Sequence, residues 1–295
     1  MIILLAASVV SALASGCAST STSATVRPTA DRIASAPVIE VRTREIEYQD
    51  GDTTLRGVLA WPANATGPIP GVVVVHQWRG RGPHERQRAE RLAELGYAAF
   101  VLDMYGDGVY VEDNAEAARR SGAMLADRDG MTQRFTAGWE TMKAQPEVDA
   151  ERTAAIGYCF GGTVVLEMAR RGLPLDAVTS FHGALFFVGT PAEDSVRADV
   201  LVCNGYLDPL VPVEQRTAFK TRMSDANATW TFIDYGGAVH AFTDENVGPY
   251  RHGARSAYDP RADRRSWAAM TAQLHDTLGV PAAAATPQPV GETSP

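Results

Sequence analysis

Cysteine is scarce, with three in 295 residues at positions 17, 159 and 203. So small and widely spaced a set makes no disulfide framework, and the fold has to be held by its core. Excess positive charge is also missing. The 27 Lys and Arg are outnumbered by 35 Asp and Glu, giving a net charge of −8, which offers no field to draw phosphate backbones or anionic lipid. Nucleic acid is therefore not expected as a partner. The apolar run at residues 1–14 falls short of the ~20 residues that a spanning helix needs. There is no Walker loop and no His, Cys or acidic pair at metal-ligand spacing. Gly80-Arg81-Gly82 is followed by Pro83 and lacks the dinucleotide-binding spacing. No cofactor is implied. What is present is a hydrophobic fraction of 45% against 21% charged, ordinary for a globular chain with a sizeable core.

The ends differ in character from the middle. Residues 1–14 have the length of a signal-peptide core, and Leu13-Ala14-Ser15-Gly16-Cys17 resembles a bacterial lipoprotein processing site. That resemblance implies lipidation at Cys17, and Ala18, where Asp would signal retention, implies the outer membrane. The expected location is periplasmic and lipid-anchored, with no other membrane contact. No Lys or Arg precedes this core, so the usual basic stretch is missing or the start codon is misplaced. Residues 18–42 start Ser/Thr/Ala-rich and read as a flexible linker, and residues 281–295 read as a disordered tail. Residues 43–280 have one continuous pattern and are expected to form a single domain.

That domain opens with two β-type runs, 44–49 and 54–61, split by the turn signal Asp50-Gly51-Asp52. Apolar runs of the kind buried on both faces of a parallel sheet follow at 71–75, 98–102, 154–157, 177–181, 200–203 and 229–233. Helical periods lie between them: Met131, Phe135, Gly138, Trp139 and Met142 share one face, and Trp267, Met270, Thr271, Leu274 and Leu278 another. This alternation predicts a doubly wound, mostly parallel α/β sheet with an N-terminal antiparallel hairpin. In such sheets, active sites gather at the carboxyl ends of the strands.

Gly157-Tyr158-Cys159-Phe160-Gly161-Gly162 stands between a predicted strand and a helix with Val164, Val165, Met168 and Ala169 on its inner face. It matches the G-x-nucleophile-x-G elbow with Cys in place of Ser. The helix N-terminus at Cys159 would favour thiolate over thiol; the alternative is a small buried hydrophobe. Cys203, within an apolar strand, reads as core, the alternative being a bridge to Cys159. An elbow of this type expects an acid and then a histidine on later post-strand loops. Asp208, in Asn204-Gly205-Tyr206-Leu207-Asp208-Pro209, and His240, in Gly236-Gly237-Ala238-Val239-His240, occupy those places. Turn-forming and plain loop roles are their alternatives. His182 reads as a pocket-wall support, and His252 and His275 as surface or helix residues.

An acyl-transfer site also needs two N–H donors for the developing oxyanion. Phe160 would supply one, and the loop His76-Gln77-Trp78-Arg79-Gly80 the other. Together with Asp103-Met104-Tyr105-Gly106, Gly205-Tyr206-Leu207-Asp208 and Gly237-Ala238-Val239-His240-Ala241-Phe242, these segments resemble the dienelactone hydrolase family of α/β-hydrolases. The resemblance implies a compact hydrolase without a large lid, acting on small-molecule esters or lactones. It also implies a Cys159-Asp208-His240 triad and an oxyanion hole from the amides of Trp78 and Phe160. Two positions depart from the family: Gln77 stands where a nucleophile-adjacent Glu is usual, and Thr243-Asp244-Glu245 replaces an Arg that binds a substrate carboxylate. An anionic lactone would be repelled there. The aromatic residues Trp78, Tyr105, Phe160, Phe186, Phe187 and Phe242 are expected either to line the pocket or to be plain core. Other readings of the same scaffold are a noncatalytic surface binding protein, favoured by Gln77, and a thioesterase or peptidase.

Overall fold

In the computed structural model, the structure describes residues 39–186, 192, 195–279 and 281. The expected leader with Cys17, most of the expected linker, Phe187 and the expected tail beyond Pro281 lie outside the described residues. The described residues belong to one unit.

The hairpin forms as expected and is longer than the sequence suggests. Strands β1 (Val41–Asp50) and β2 (Thr53–Pro62) pair antiparallel through the Asp50-Gly51-Asp52 turn. Its first strand starts two residues before the expected domain boundary. β2 then pairs antiparallel with β4 (Ala98–Val101). From there the sheet is parallel through β3 (Ile69–Val75), β5 (Val148–Tyr158), β6 (Ala177–Phe181), β7 (Asp199–Gly205) and β8 (Trp230–Tyr235). The order across its eight strands is β1-β2-β4-β3-β5-β6-β7-β8. β5 starts six residues before the apolar run that marks it, because Asp149, Glu151 and Arg152 lie where the strand is uncovered.

Side chains of a strand alternate between faces, and in the inner strands both faces are buried. Val73, Val75, Phe100, Ala155, Val178 and Val200 pack on one side, against helices α3 (Arg128–Lys143), α4 (Phe160–Arg170) and α5 (Val213–Asp225). Val72, Val74, Ala99, Ala154, Ile156 and Leu201 pack on the other, against α1 (Pro83–Glu94) and α6 (Pro260–Leu278). A further helix, α2 (Asn114–Ala126), precedes α3 and buries only Ala117. The stripe expected on α3 is the buried one, residue for residue. On α6 the buried face includes Asp263, Ser266 and Gln273, while Trp267 and Thr271 are half-exposed. The reason is polar pairing: Asp263 meets Arg88 at 2.9 Å, and Gln273 accepts from the Thr179 hydroxyl at 2.6 Å.

Candidate active site

β5 runs directly into α4, and the residue at the bend is Cys159, with φ 54° and ψ −113°. A non-glycine residue pays strain to sit there. The neighbouring glycines are required by crowding. A Cβ on Gly157 would lie 2.1 Å from the Gly161 carbonyl oxygen, and one on Gly161 2.3 Å from that of Val75. Sulfur is thereby held at the N-terminus of α4, where unpaired N–H groups favour negative charge.

The structure brings Asp208 and His240 to this sulfur. Asp208 sits in the turn that follows β7, and its Oδ1 accepts from the Leu210 amide at 2.8 Å. His240 sits in the loop after β8, its backbone bonded to Arg255 and Ala257. The His240 Nδ1–H donates to Asp208 Oδ2 at 2.8 Å, and Nε2 lies 3.1 Å from Cys159 Sγ. Burial would by itself lower the basicity of this imidazole. The charge on Cys159 and the bonds to Asp208 and Cys159 outweigh burial and hold the His240 pKa well above its ordinary value.

Cys159 and Cys203 are both free, so no bridge joins them. Cys203 is buried core beside the Tyr235 hydroxyl, and burial pushes its thiol up to about 12. His182 lies behind the elbow and supports the cavity wall without lining it. Its Nδ1 accepts from the Cys159 amide at 3.1 Å, and its Nε2–H donates to the Thr243 hydroxyl at 2.8 Å. One imidazole thus ties the nucleophile's bend to the loop carrying His240. Burial first, then the nearby charge of His240, holds its pKa well below the ordinary value, so it is neutral, as this bonding requires. His252 is exposed, and His275 on α6 stacks against Tyr97.

The loop 76–80 after β3 is held by groups that hydrophobic patterning does not reveal. The Gln77 carbonyl accepts from His76 Nδ1 at 2.6 Å and from the Gly80 amide at 3.2 Å. Because a trans peptide points its C=O and N–H oppositely, this fixes the direction of the Trp78 N–H. The Tyr105 hydroxyl donates to the Trp78 carbonyl at 2.9 Å. Tyr105 is itself placed by Asp103, whose carboxylate accepts from the amides of Arg56, Tyr105, Gly106 and Gly108. Glu85, in the first turn of α1, accepts from the amides of Gly82 and Gln77, both at 3.0 Å. Burial opposes ionisation of Glu85, but bonds and charge from His84 together with the Gln77 amide lower its pKa to about 2. Its spacing from Gly82 is that of a capping box, a signal the sequence did contain.

A cavity of about 630 Å³ opens over Cys159. Trp78, Phe160 and Phe186 line it, as do Leu125, Leu210 and Val247, while Tyr105 packs behind Phe160, and Phe242 is core between His182 and Tyr235. Gln77 also lines it, but its side-chain amide is committed elsewhere, donating to Asp244 Oδ2 at 2.9 Å. Asp244 Oδ1 accepts from the Asn246 amide and side chain, both at 2.9 Å. Glu245 is outside the lining and bonds the Tyr258 hydroxyl. Arg79 reaches the cavity, yet its guanidinium is spent on the carbonyls of Val111 and Glu112 and on Asn114. A substrate carboxylate would meet Glu85 and Asp244 there, with no uncommitted guanidinium to bind it.

Comparison with known proteins places the chain among hydrolases. Residues 55–278 fit the model of the dienelactone hydrolase family. A structure named m3DLH is 41% identical with a TM-score of 0.77, covering 81% of this chain and 99% of its own. A dienelactone hydrolase-like promiscuous phosphotriesterase, P91, from metagenomic libraries is 39% identical, with the same TM-score and the same coverage. Among curated sequences, a putative carboxymethylenebutenolidase of Yersinia pestis is 28% identical over 217 residues, 70% of this chain and 79% of its own length. With its α/β-hydrolase fold and a family match over most of its length, the chain belongs to the dienelactone hydrolase family.

Proposed function

We propose that this ester-bond hydrolase cleaves carboxylic esters or lactones through an acyl-cysteine intermediate. Cys159 is the nucleophile, His240 the acid and base, and Asp208 the residue that holds its tautomer. The reading is carried by one observation: a sulfur at a strained strand-to-helix bend lies 3.1 Å from an imidazole that is itself bonded to a buried carboxylate. In this mechanism the thiolate attacks the carbonyl carbon, and the displaced electron pair collects on oxygen beside the amides of Trp78 and Phe160. Collapse expels the alcohol oxygen, which takes the proton from His240 Nε2. Water then loses a proton to Nε2, attacks the thioester and releases the acid, and Sγ leaves as thiolate. With Gln77 bound to Asp244, thiol activation falls on His240 and the α4 dipole.

Turnover of p-nitrophenyl butyrate by the full-length protein tests the proposal. Cys159→Ala is expected to lower kcat by roughly 10³-fold or more; turnover retained in that variant contradicts it, and no turnover in the wild type favours a noncatalytic binder. An uncharged phosphotriester is a second probe, because the relative P91 is named for that activity and the cavity has no uncommitted cation. Lipidation at Cys17 belongs to the same proposal and would place the hydrolase on the periplasmic side of the outer membrane. Labelling with an alkyne fatty acid, lost in Cys17→Ala, is its check.

A further inference from the structure

Among the described residues, eight large apolar side chains are well exposed, and four of them line the one cavity that contains Cys159. These are Tyr110 (48% exposed), Phe186 (42%), Leu210 (43%) and Val247 (43%). They come from four separate segments of the chain, so the clustering is a property of the fold and not of one greasy loop. A second hollow of about 420 Å³, between α2 and α3, has Arg119, Arg120 and Arg134 in its wall and none of these eight. Exposed apolar surface gathered in one place marks a contact with something apolar. Here that surface continues into the space over the reactive sulfur, which identifies the occupant as part of the molecule being cleaved.

Charge narrows the class further. Glu85 and Asp244 are the carboxylates of the lining, and the only Lys or Arg there, Arg79, is committed to carbonyls and an amide. No free Lys or Arg in this lining compensates a carboxylate on the substrate, whereas an alkyl chain would cover the rim and release its water.

We propose that the site takes uncharged esters with a medium-length or long apolar acyl chain, and that Tyr110, Phe186, Leu210 and Val247 form the subsite that seats it. This rests on Cys159 being the acyl acceptor, and its failure can be told apart from a failure of that reading. The test compares kcat/KM for p-nitrophenyl octanoate and p-nitrophenyl acetate in the wild type and in the double variant Leu210→Ser/Val247→Ser. The wild type is expected to favour octanoate by at least tenfold, and the variant to lose about tenfold of that preference. A wild type indifferent to chain length, or a variant with an unchanged ratio, overturns the proposal. So does a wild-type dimer that the two substitutions dissociate without altering the ratio, since a second copy would then cover the rim. A readout without turnover is protection of Cys159 from iodoacetamide by octanamide relative to acetamide. Stronger protection by octanamide in the wild type, reduced in the variant, supports the subsite even if no ester is hydrolysed; equal protection by the two amides contradicts it.

Discussion

In the proposed mechanism the contact between Cys159 and His240, 3.1 Å long, sets the reactivity of the whole site. His240 keeps its proton above its ordinary pKa because the Cys159 sulfur and the Asp208 carboxylate both face it. On the proposed mechanism the protonated imidazole beside Cys159 is present through neutral pH and is lost on the alkaline side. Iodoacetamide should alkylate the wild-type thiol rapidly at pH 6, where a free cysteine with pKa ~8.5 is mostly protonated and slow. In His240→Ala the reactivity profile should move toward that of a free cysteine. The same profile in both proteins would mean that the imidazole does not hold the sulfur's charge. The three residues that meet here could be found in the sequence because each follows a short apolar strand in a distinctive turn. The partner of Gln77 could not. Asp244 lies 167 positions away, and no local pattern announces a bond between two loops. Likewise, His182 was legible as a strand-end histidine, but its two bonds, to the Cys159 amide and the Thr243 hydroxyl, exist only in the assembled fold.

Elements were legible where burial was apolar and regular, and obscure where it was polar. α3 carries a clean 3.6-residue stripe. α1 does not, because its buried face includes His84, Glu85 and Arg88, polar side chains that pair with one another as well as with groups beyond the helix. Arg88 bonds Asp263 and the Thr243 carbonyl, and Glu85 caps its own helix and holds the Gln77 amide. β8, read with the runs buried on both faces, is instead a mostly part-exposed edge strand, because only β7 pairs with it. Glycine roles differ sharply between helices. In α4, Gly161→Ala drives a methyl into the Val75 carbonyl oxygen, and a destabilisation of roughly 1–3 kcal/mol or more is expected. In α2, Gly122 has nothing within 4 Å of an added Cβ, so Gly122→Ala should stabilise by up to about 1 kcal/mol. Thermal melts of the two variants distinguish the cases: a fall in Tm for the first and no fall for the second. Equal shifts would remove crowding as the reason for the elbow's glycines.

On the scale of the molecule, the fold class follows from strand and helix alternation. The position of β3 between β4 and β5, and the pairing of β2 with β4, come from crossovers that periodicity does not record. The assembled core also carries a pH dependence. His76 and His182 are fully buried, and burial holds both pKa values below the ordinary 6.5. The unfolded chain therefore binds more protons than the native one as pH falls below 6.5. Stability should decline there, by up to about 1.4 kcal/mol per pH unit for each group. Urea midpoints measured from pH 7 to pH 5 should fall, and a flat profile would mean that these imidazoles take up protons without unfolding. The molecule's central commitment, however, is one covalent bond. Brief exposure to p-nitrophenyl butyrate, acid quench and peptide mapping by mass spectrometry should find a butyryl group on the peptide containing Cys159, and none there in Cys159→Ala. Ester turnover by the wild type with no acyl group ever trapped on that sulfur, or with the group on another residue, would contradict the account.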